Sequence, residues 1–406
     1  MKEIFGEASI PLVTDKPWVK NLTIAPGYRF SDYSSIGTTD TYKVDLSYQV
    51  NDDLRFRYTY NRAVRAPNIV ELYSPQSLGL FNGSDPCAGT PKKSAAACAL
   101  TGVTATEYGS IQQCPASQCS TLIGGNPKLA PESADTYTYG VVLTPHQIPR
   151  FSLSVDYYNI RISNLISAGY GSANSEVAGC IKGNSFLCSQ IHRDPASGEL
   201  YGAGYVNVVN TNSGFEQTKG IDVSASYSLP VSGLGRFDFK TTGTYLEHFV
   251  IEPNAANAAI GLIGSGTYDC AGLYGATCGA PMPHWRSTSR VSWTTPWAFT
   301  ASATWRFIGA TKVDINQSNA LVNGGYGPGT DLIEPKIGAV SYLDLAVQWK
   351  VKDGYVLRAG VNNVFDKDPP HGDSTNVGVF GGNGNTFPGT YDTLGRNIFV
   401  GITANY

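Results

Sequence analysis

Residues 220–229 read GIDVSASYSL, and the alternation in that decapeptide decides the fold class. Ile221, Val223, Ala225, Tyr227 and Leu229 share one parity, while Asp222, Ser224, Ser226 and Ser228 share the other. A period of two sends successive side chains to opposite faces of a strand, so one face here is apolar and the other polar enough to line water. The division recurs in residues 54–61 (LRFRYTYN), 297–307 (WAFTASATWRF) and 355–363 (YVLRAGVNN). Counting such segments gives about 13 strands, each near the ~9–11 residues that a tilted strand needs to cross a bilayer.

The composition agrees with an all-β chain. Among 406 residues there are 45 Gly and 24 Tyr but only 2 Met, a balance that weakens helices and suits strands and tight turns. The net charge is −3, and no block of consecutive Lys and Arg reads as a basic arm, which excludes nucleic acid as a partner. No apolar run approaches the ~18 residues of a transmembrane helix, which leaves a membrane β-barrel open. The opening MKEIFGEASIPLVTDKPW alternates like a strand and lacks the apolar core and cleavage site of a signal peptide. The expectation is that the chain is not secreted or that its front is missing.

A soluble antiparallel sandwich also alternates, so connection lengths matter. Short links at VTDKPW, NDD, TPHQIPR, PVSGLG, TTP and VKDG alternate with longer ones near 32–38, 66–133, 163–215, 250–282, 310–338 and 367–393. Short turns at one end and long loops at the other are the asymmetry of outer-membrane barrels. Trp293, Trp297 and Trp349 sit beside short turns, where an interfacial girdle lies. The first strand runs into a short turn and the last follows a long loop, so both descend. The odd count this requires implies an even-stranded barrel that lacks its beginning.

All eight cysteines fall in the long stretches as near neighbours: Cys87 with Cys98, Cys114 with Cys119, Cys180 with Cys188, and Cys270 with Cys278. An even count confined to loops reads as local disulfides made in an oxidising compartment, and the absence of any CxxC argues against zinc. The histidines, His146, His192, His248, His284 and His371, form no ligand pair, and His371-Gly-Asp373 reads as a turn sooner than as a base with its orienting acid. The glycine-rich GGYGPGT and FGGNGNT lack the GK[ST] ending of a phosphate loop. No metal, cofactor or catalytic constellation emerges.

Several stretches resemble the C-terminal barrel portion of TonB-dependent outer-membrane receptors, over essentially the whole chain. NRAVRAPNIVELYSP, with Arg65, Pro67 and Asn68, looks like the family's strand-to-loop signature. GNPKLAPESADTYTYGVVLTP, with Asn126, Pro127, Pro131 and Glu132, resembles its NPxLxPE segment and following strand. LRAGVNNVFDKDPP, with Asn362, Asn363, Phe365 and Asp366, is similar to the penultimate strand and its NLFD ending, with Val364 where Leu is usual. YDTLGRNIFVGITANY matches the closing strand, and Tyr406 resembles the terminal aromatic that the barrel assembly machinery recognises.

The resemblance implies a transmembrane antiparallel β-barrel of about 22 strands, long loops outside and short turns on the periplasmic side, of which residues 1–406 supply the C-terminal part and about nine strands are absent. It also implies the outer membrane of a Gram-negative bacterium, contact with its lipid, and uptake of a scarce small molecule such as a siderophore or carbohydrate. TonB is a partner only of a full-length form, because no plug or TonB box is present in this sequence. The motif residues are read as fixing the chain where strands leave for loops or return from them, since Pro suits strand ends. A passive porin or surface adhesin is the alternative, and an outer-membrane enzyme the third. The loops, rich in Gly, Asn, Ser and Tyr, are read as binding ligand without identifying it.

Overall fold

The computed structural model describes residues 1–170, 172–254, 262, 264–323, 327–330, 335–372 and 385–404. Its main element is one antiparallel meander. The strands are β1 (Lys2–Glu7), β2 (Ile10–Lys16), β3 (Val19–Tyr33), β4 (Gly37–Gln49), β5 (Leu54–Arg65), β6 (Glu132–Leu143), β7 (Phe151–Ser163), β8 (Phe215–Val231), β9 (Gly235–Glu252), β10 (Trp285–Thr294), β11 (Phe299–Ile308), β12 (Val340–Lys352), β13 (Tyr355–Asn362) and β14 (Asn397–Ala404). Each pairs with its neighbours in sequence, save that β1 and β2 both pair with β3, end to end, as two halves of one stave interrupted at Ala8 and Ser9. Counted so, the wall has 13 staves, as the alternation predicts. Its order ends at β1 and at β14, which do not pair, so the sheet is an open part of a barrel.

The short links fall at one end, as expected. The longer ones fall at the other, with one correction: Tyr33 is joined to Gly37 by three residues, so the stretch near 32–38 is a tight hairpin on two long strands. Residues 32 and 33 belong to β3 because pairing with Thr38 and Gly37 satisfies their backbone groups.

Register carries the two faces across the wall. One row runs Leu46, Tyr58, Tyr139, Tyr157, Ile221, Tyr245 and Trp285. A lower row runs Phe237, Trp293, Ala301, Val347, Ala359 and Val400. Both belong to the exposed apolar face, where Trp349 is 47% and Val400 73% exposed. Trp285 and Trp293 lie eight residues apart on β10, about 26 Å along a strand and about 20 Å once it tilts, near the height of a barrel's apolar band between aromatic girdles. The opposite face is polar, with a row of Ser47, Arg57, Gly140, Asp156, Asp222, Thr244 and Arg286.

The loops fold into structures of their own. Residues 66–131 and 164–214 share a four-stranded sheet in the order Ile191–His192, Tyr205–Asn207, Gln118–Ile123 and Ser77–Asn82, and the parallel pairing in its middle ties one loop to the other. We call this unit the cap. It also holds α1 (Ala95–Ala99), α2 (Ala173–Ile181) and α3 (Ser185–Cys188), each with an N-cap side chain accepting from the helix backbone. Residues of the next two loops form a smaller sheet of Leu273–Tyr274, Thr311–Val313 and Lys336–Ile337. No helix among the described residues is long and apolar enough to cross a membrane.

Candidate functional site: the inner wall and its roof

The polar face is built by arginines that reach across the staves. Arg57 on β5 spans β6 to Asp156 on β7, its Nε donating to Asp156 Oδ1 at 2.6 Å. The crossing needs glycine between them. A Cβ on Gly140 would stand 1.9 Å from Asp156 Oδ1 and 2.8 Å from Arg57 Nε. Farther along the wall, Arg306 on β11 donates from Nε and Nη2 to Asp344 at 2.7 and 2.9 Å, and from Nη1 to Asp392 in the last loop at 2.8 Å. Two carboxylates on one guanidinium fix the last loop to the wall.

That attachment roofs a cavity of about 550 Å³ on the inner face. Asp222, Thr244, Arg286, Thr288, Arg306 and Thr390 line it, so its chemistry is hydroxyl-rich with charges of both signs. Thr244 donates to Asp222 at 2.6 Å, and Arg286 Nη2 donates to the Pro281 carbonyl at 2.6 Å. Above it Tyr391, Tyr342, Tyr274 and Phe387 pack in a buried cluster. Burial pushes the Tyr391 hydroxyl up to about 12, so it stays protonated. The volume is within the ~300–1,000 Å³ typical of small-molecule sites.

The motif residues gather at two strand exits. At the first, Arg65 Nε donates to Glu132 at 2.6 Å, and its Nη1 and Nη2 donate to Glu71 at 3.0 and 3.1 Å. Asn68 and Glu71 form a reciprocal capping box at 2.8 Å each over the short helix Ile69–Tyr73. Asn126 donates its backbone N–H to the Glu71 carbonyl at 2.9 Å, and Glu132 accepts from the Ile166 N–H at 2.8 Å. Pro67 is buried, Pro131 half-buried and Pro127 exposed. The two motifs, some sixty residues apart in the chain, thus clamp the departing and returning ends of one loop. At the second exit, Asn363 adopts φ +51°, its N–H donates to Asp344 at 2.9 Å, and its side chain exchanges two bonds with Lys367. Asp366 accepts from the Arg396 N–H at 2.7 Å, Asn362 is exposed on β13, and Phe365 is 74% exposed. Tyr406 lies outside the described residues, as does Asp373 of the His371 turn.

The structure joins Cys87 to Cys98, Cys114 to Cys119, Cys180 to Cys188 and Cys270 to Cys278. Three of these bridges belong to the cap, where Arg193 and Asp85 form a bidentate ion pair with side chains only 5% and 0% exposed. The fourth closes a loop that wraps Asp314, whose Oδ2 accepts from the Thr277 and Cys278 N–H groups at 2.8 and 2.9 Å. Gly275, at φ +141°, permits this, since a Cβ there would sit 2.2 Å from Asp314 Oδ1. Sequence reasoning missed Arg193, Arg306 and Asp314. Arg193 and Asp314 are single charged residues in stretches without periodicity, and the alternation of residues 297–307 places Arg306 on the polar face without marking it as the hub of contacts with residues tens of positions away.

The comparisons with known proteins fit this geometry. The family model described as "TonB dependent receptor-like, beta-barrel" matches residues 2–364. No curated protein matches the chain. Among solved structures, a variant of the ferric enterobactin receptor PfeA from Pseudomonas aeruginosa superimposes with a TM-score of 0.62 at 17% identity, covering 100% of this chain and 44% of that one. The siderophore receptor PirA from Acinetobacter baumannii gives 0.57 at 15% identity, covering 100% of this chain and 46% of that one. The chain therefore spans less than half the length of these receptors, and at such identities the likeness is one of fold. With the family model covering most of its length, the chain belongs to the TonB-dependent receptor-like β-barrel family.

Proposed function

We propose that residues 1–406 form the C-terminal part of the barrel of an outer-membrane receptor in a Gram-negative bacterium, and that the receptor imports a scarce small molecule with TonB-supplied energy. The observation that carries the reading is the pairing of an apolar outward face with a polar inner face, whose cavity is roofed by structured loops. A wall with those two faces is stable only between lipid and an aqueous or protein-filled lumen. Lipid is then its solvent on one side, and the barrel assembly machinery its partner through β14. TonB acts through a plug carried by the full-length form. The solved relatives are named for siderophores, and a siderophore or a carbohydrate suits the hydroxyl-rich cavity. The protein is not an enzyme on this reading.

The test is uptake by cells expressing the full receptor gene, offered a radio-iron siderophore panel and a labelled oligosaccharide panel, with and without TonB. Accumulation of one probe that stops in the TonB-deficient strain supports the proposal. Accumulation that continues without TonB makes the barrel a passive pore, and hydrolysis of a probe at the cell surface makes it an enzyme.

A further inference from the structure

The cap contains a second cavity, of 230 Å³, away from the inner wall. One side is a face of α2, where Asn174, Val177, Ala178, Ile181 and Lys182 recur at the spacing of a single helical face. The other side comes from the first loop, with Phe81 and Lys93, and Leu200 contributes to the lining from the buried core of the cap. The cavity is thus a seam between two loops, held by two fixed anchors. Asn174 Nδ2 donates to the Asn82 carbonyl at 2.9 Å, and the adjoining Cys180–Cys188 bridge ties α2 to α3.

Its charge is one-sided. Asp85 is the acid in the lining, and Arg193 neutralises it with two hydrogen bonds at 2.6 and 3.2 Å. Lys93 and Lys182 have no such counterpart, since the lysine ion pairs among the described residues are those of Lys20, Lys43 and Lys350. A cavity lined by Phe81, Val177, Ile181 and Leu200 together with two lysines outside any ion pair favours an apolar body that ends in an anion. The volume falls below the ~300–1,000 Å³ of drug-sized sites, which limits the occupant to a single ring or a short acyl chain.

We propose that this seam is a binding site for a small apolar carboxylate, with the ring or chain against Val177, Ile181 and Leu200 and the carboxylate between Lys93 and Lys182. The site is separate from the inner-wall cavity. It stands beside the uptake reading and not upon it, because binding is measured without transport.

The test uses the purified chain in detergent micelles and fluorine NMR of 4-fluorophenylacetate, with neutral 4-fluorophenylacetamide as comparator. The acid is expected to bind saturably and about tenfold more tightly than the amide, the worth of one hydrogen bond to a charged group. Raising salt to about 0.5 M weakens the acid alone. The Lys93→Gln, Lys182→Gln double variant, which changes only surface side chains, removes the preference. Ala178→Trp fills the seam and abolishes binding of both probes, while Arg286→Ala in the inner wall changes neither. Absence of saturable binding overturns the proposal. So does an amide that binds as well as the acid, a preference that survives loss of both lysines, or binding retained in a folded Ala178→Trp protein.

Discussion

The wall and the cap solve opposite problems with one chain. In the wall, apolar side chains point outward and no core exists between staves. Ile398, Val400 and Ile402 are 71%, 73% and 70% exposed, and the buried apolar residues of the wall, such as Phe215, Val340 and Tyr342, stand at the loop-side ends of their strands. The cap buries its apolar side chains in a small interior of Val177, Leu187, Leu200, Val206 and Val208, stapled by disulfides. A unit of that size has too little core to hold itself together, and covalent closure of short loops adds about 2–3 kcal/mol per bridge. The wall obtains its order from register and from the solvent around it. The cap obtains its order from desolvation and cross-links.

The same ion-pair chemistry should therefore cost very different amounts in the two regions. In the cap, Arg193→Ala leaves the Asp85 carboxylate buried without its counter-charge, with only the Cys87 N–H donating to it, and also strips donors from Thr101 and Gly198. The expected cost is about 3–5 kcal/mol. Limited proteolysis should cut within residues 66–131 of the variant at native conditions, while the strand signal in circular dichroism stays unchanged. Resistance equal to wild type would mean that the cap does not depend on its buried charge pair.

Next in size is a charge placed on the wall's two faces. Leu345 lies midway along β12 on the apolar face, in register with Ala303 and Val361. Leu345→Arg should cost about 2–4 kcal/mol when folding is measured by urea titration in phospholipid vesicles. Thr304→Arg, whose register partner is Asp344 on the polar face, should cost under about 1 kcal/mol. Equal costs would remove the assignment of outside and inside.

The cap also holds a pH-sensitive group. Glu176 is fully buried on α2, accepts one hydrogen bond from the Tyr170 N–H at 2.7 Å, and is pushed up from 4.5 to about 7 by burial. Its folded form holds a proton that the unfolded chain releases near 4.5, so cap stability falls as pH rises from about 4.5 and levels off above about 7. The full difference is roughly 3 kcal/mol. Amide exchange in residues 173–181 should accelerate between pH 5 and pH 8 beyond its intrinsic base catalysis, and Glu176→Gln should abolish the excess. An excess that persists in the Gln variant would assign it to another group.

What the sequence made legible divides along the same line. Strict alternation in residues such as 220–229 has one physical reading, and the stave count, the two faces and the side of the short turns followed from it. The hairpin at 34–36 reads as a longer link because Asp32 and Tyr33 look like loop residues yet complete a ladder whose partners are known only after pairing. The cap was not legible as a folded unit. Its strands are too short to show a period, and Tyr205–Asn207 pairs in parallel with Gln118–Ile123 across more than eighty residues. In the inner wall, Asp222 and Thr244 could be placed on the polar parity, but Arg306 became a hub only when Asp344 and Asp392 were brought to it.

The smallest effect is the most informative about the wall. Arg57 and Asp156 form a pair with side chains 44% and 18% exposed, so water screens much of their attraction. Arg57→Ala should cost under about 1 kcal/mol in the vesicle titration, against the several lost at Arg193. Gly140 provides the sharper half of the comparison, because any Cβ there meets the carboxylate of Asp156 and the stem of Arg57. Gly140→Ala in the wild-type background must displace the arginine, whereas in the Arg57→Ala background only Asp156 has to move. The Gly140→Ala cost should therefore shrink once Arg57 is gone. A cost independent of Arg57 would show that the glycine serves the backbone of β6 and that the cross-stave arginine does not dictate it.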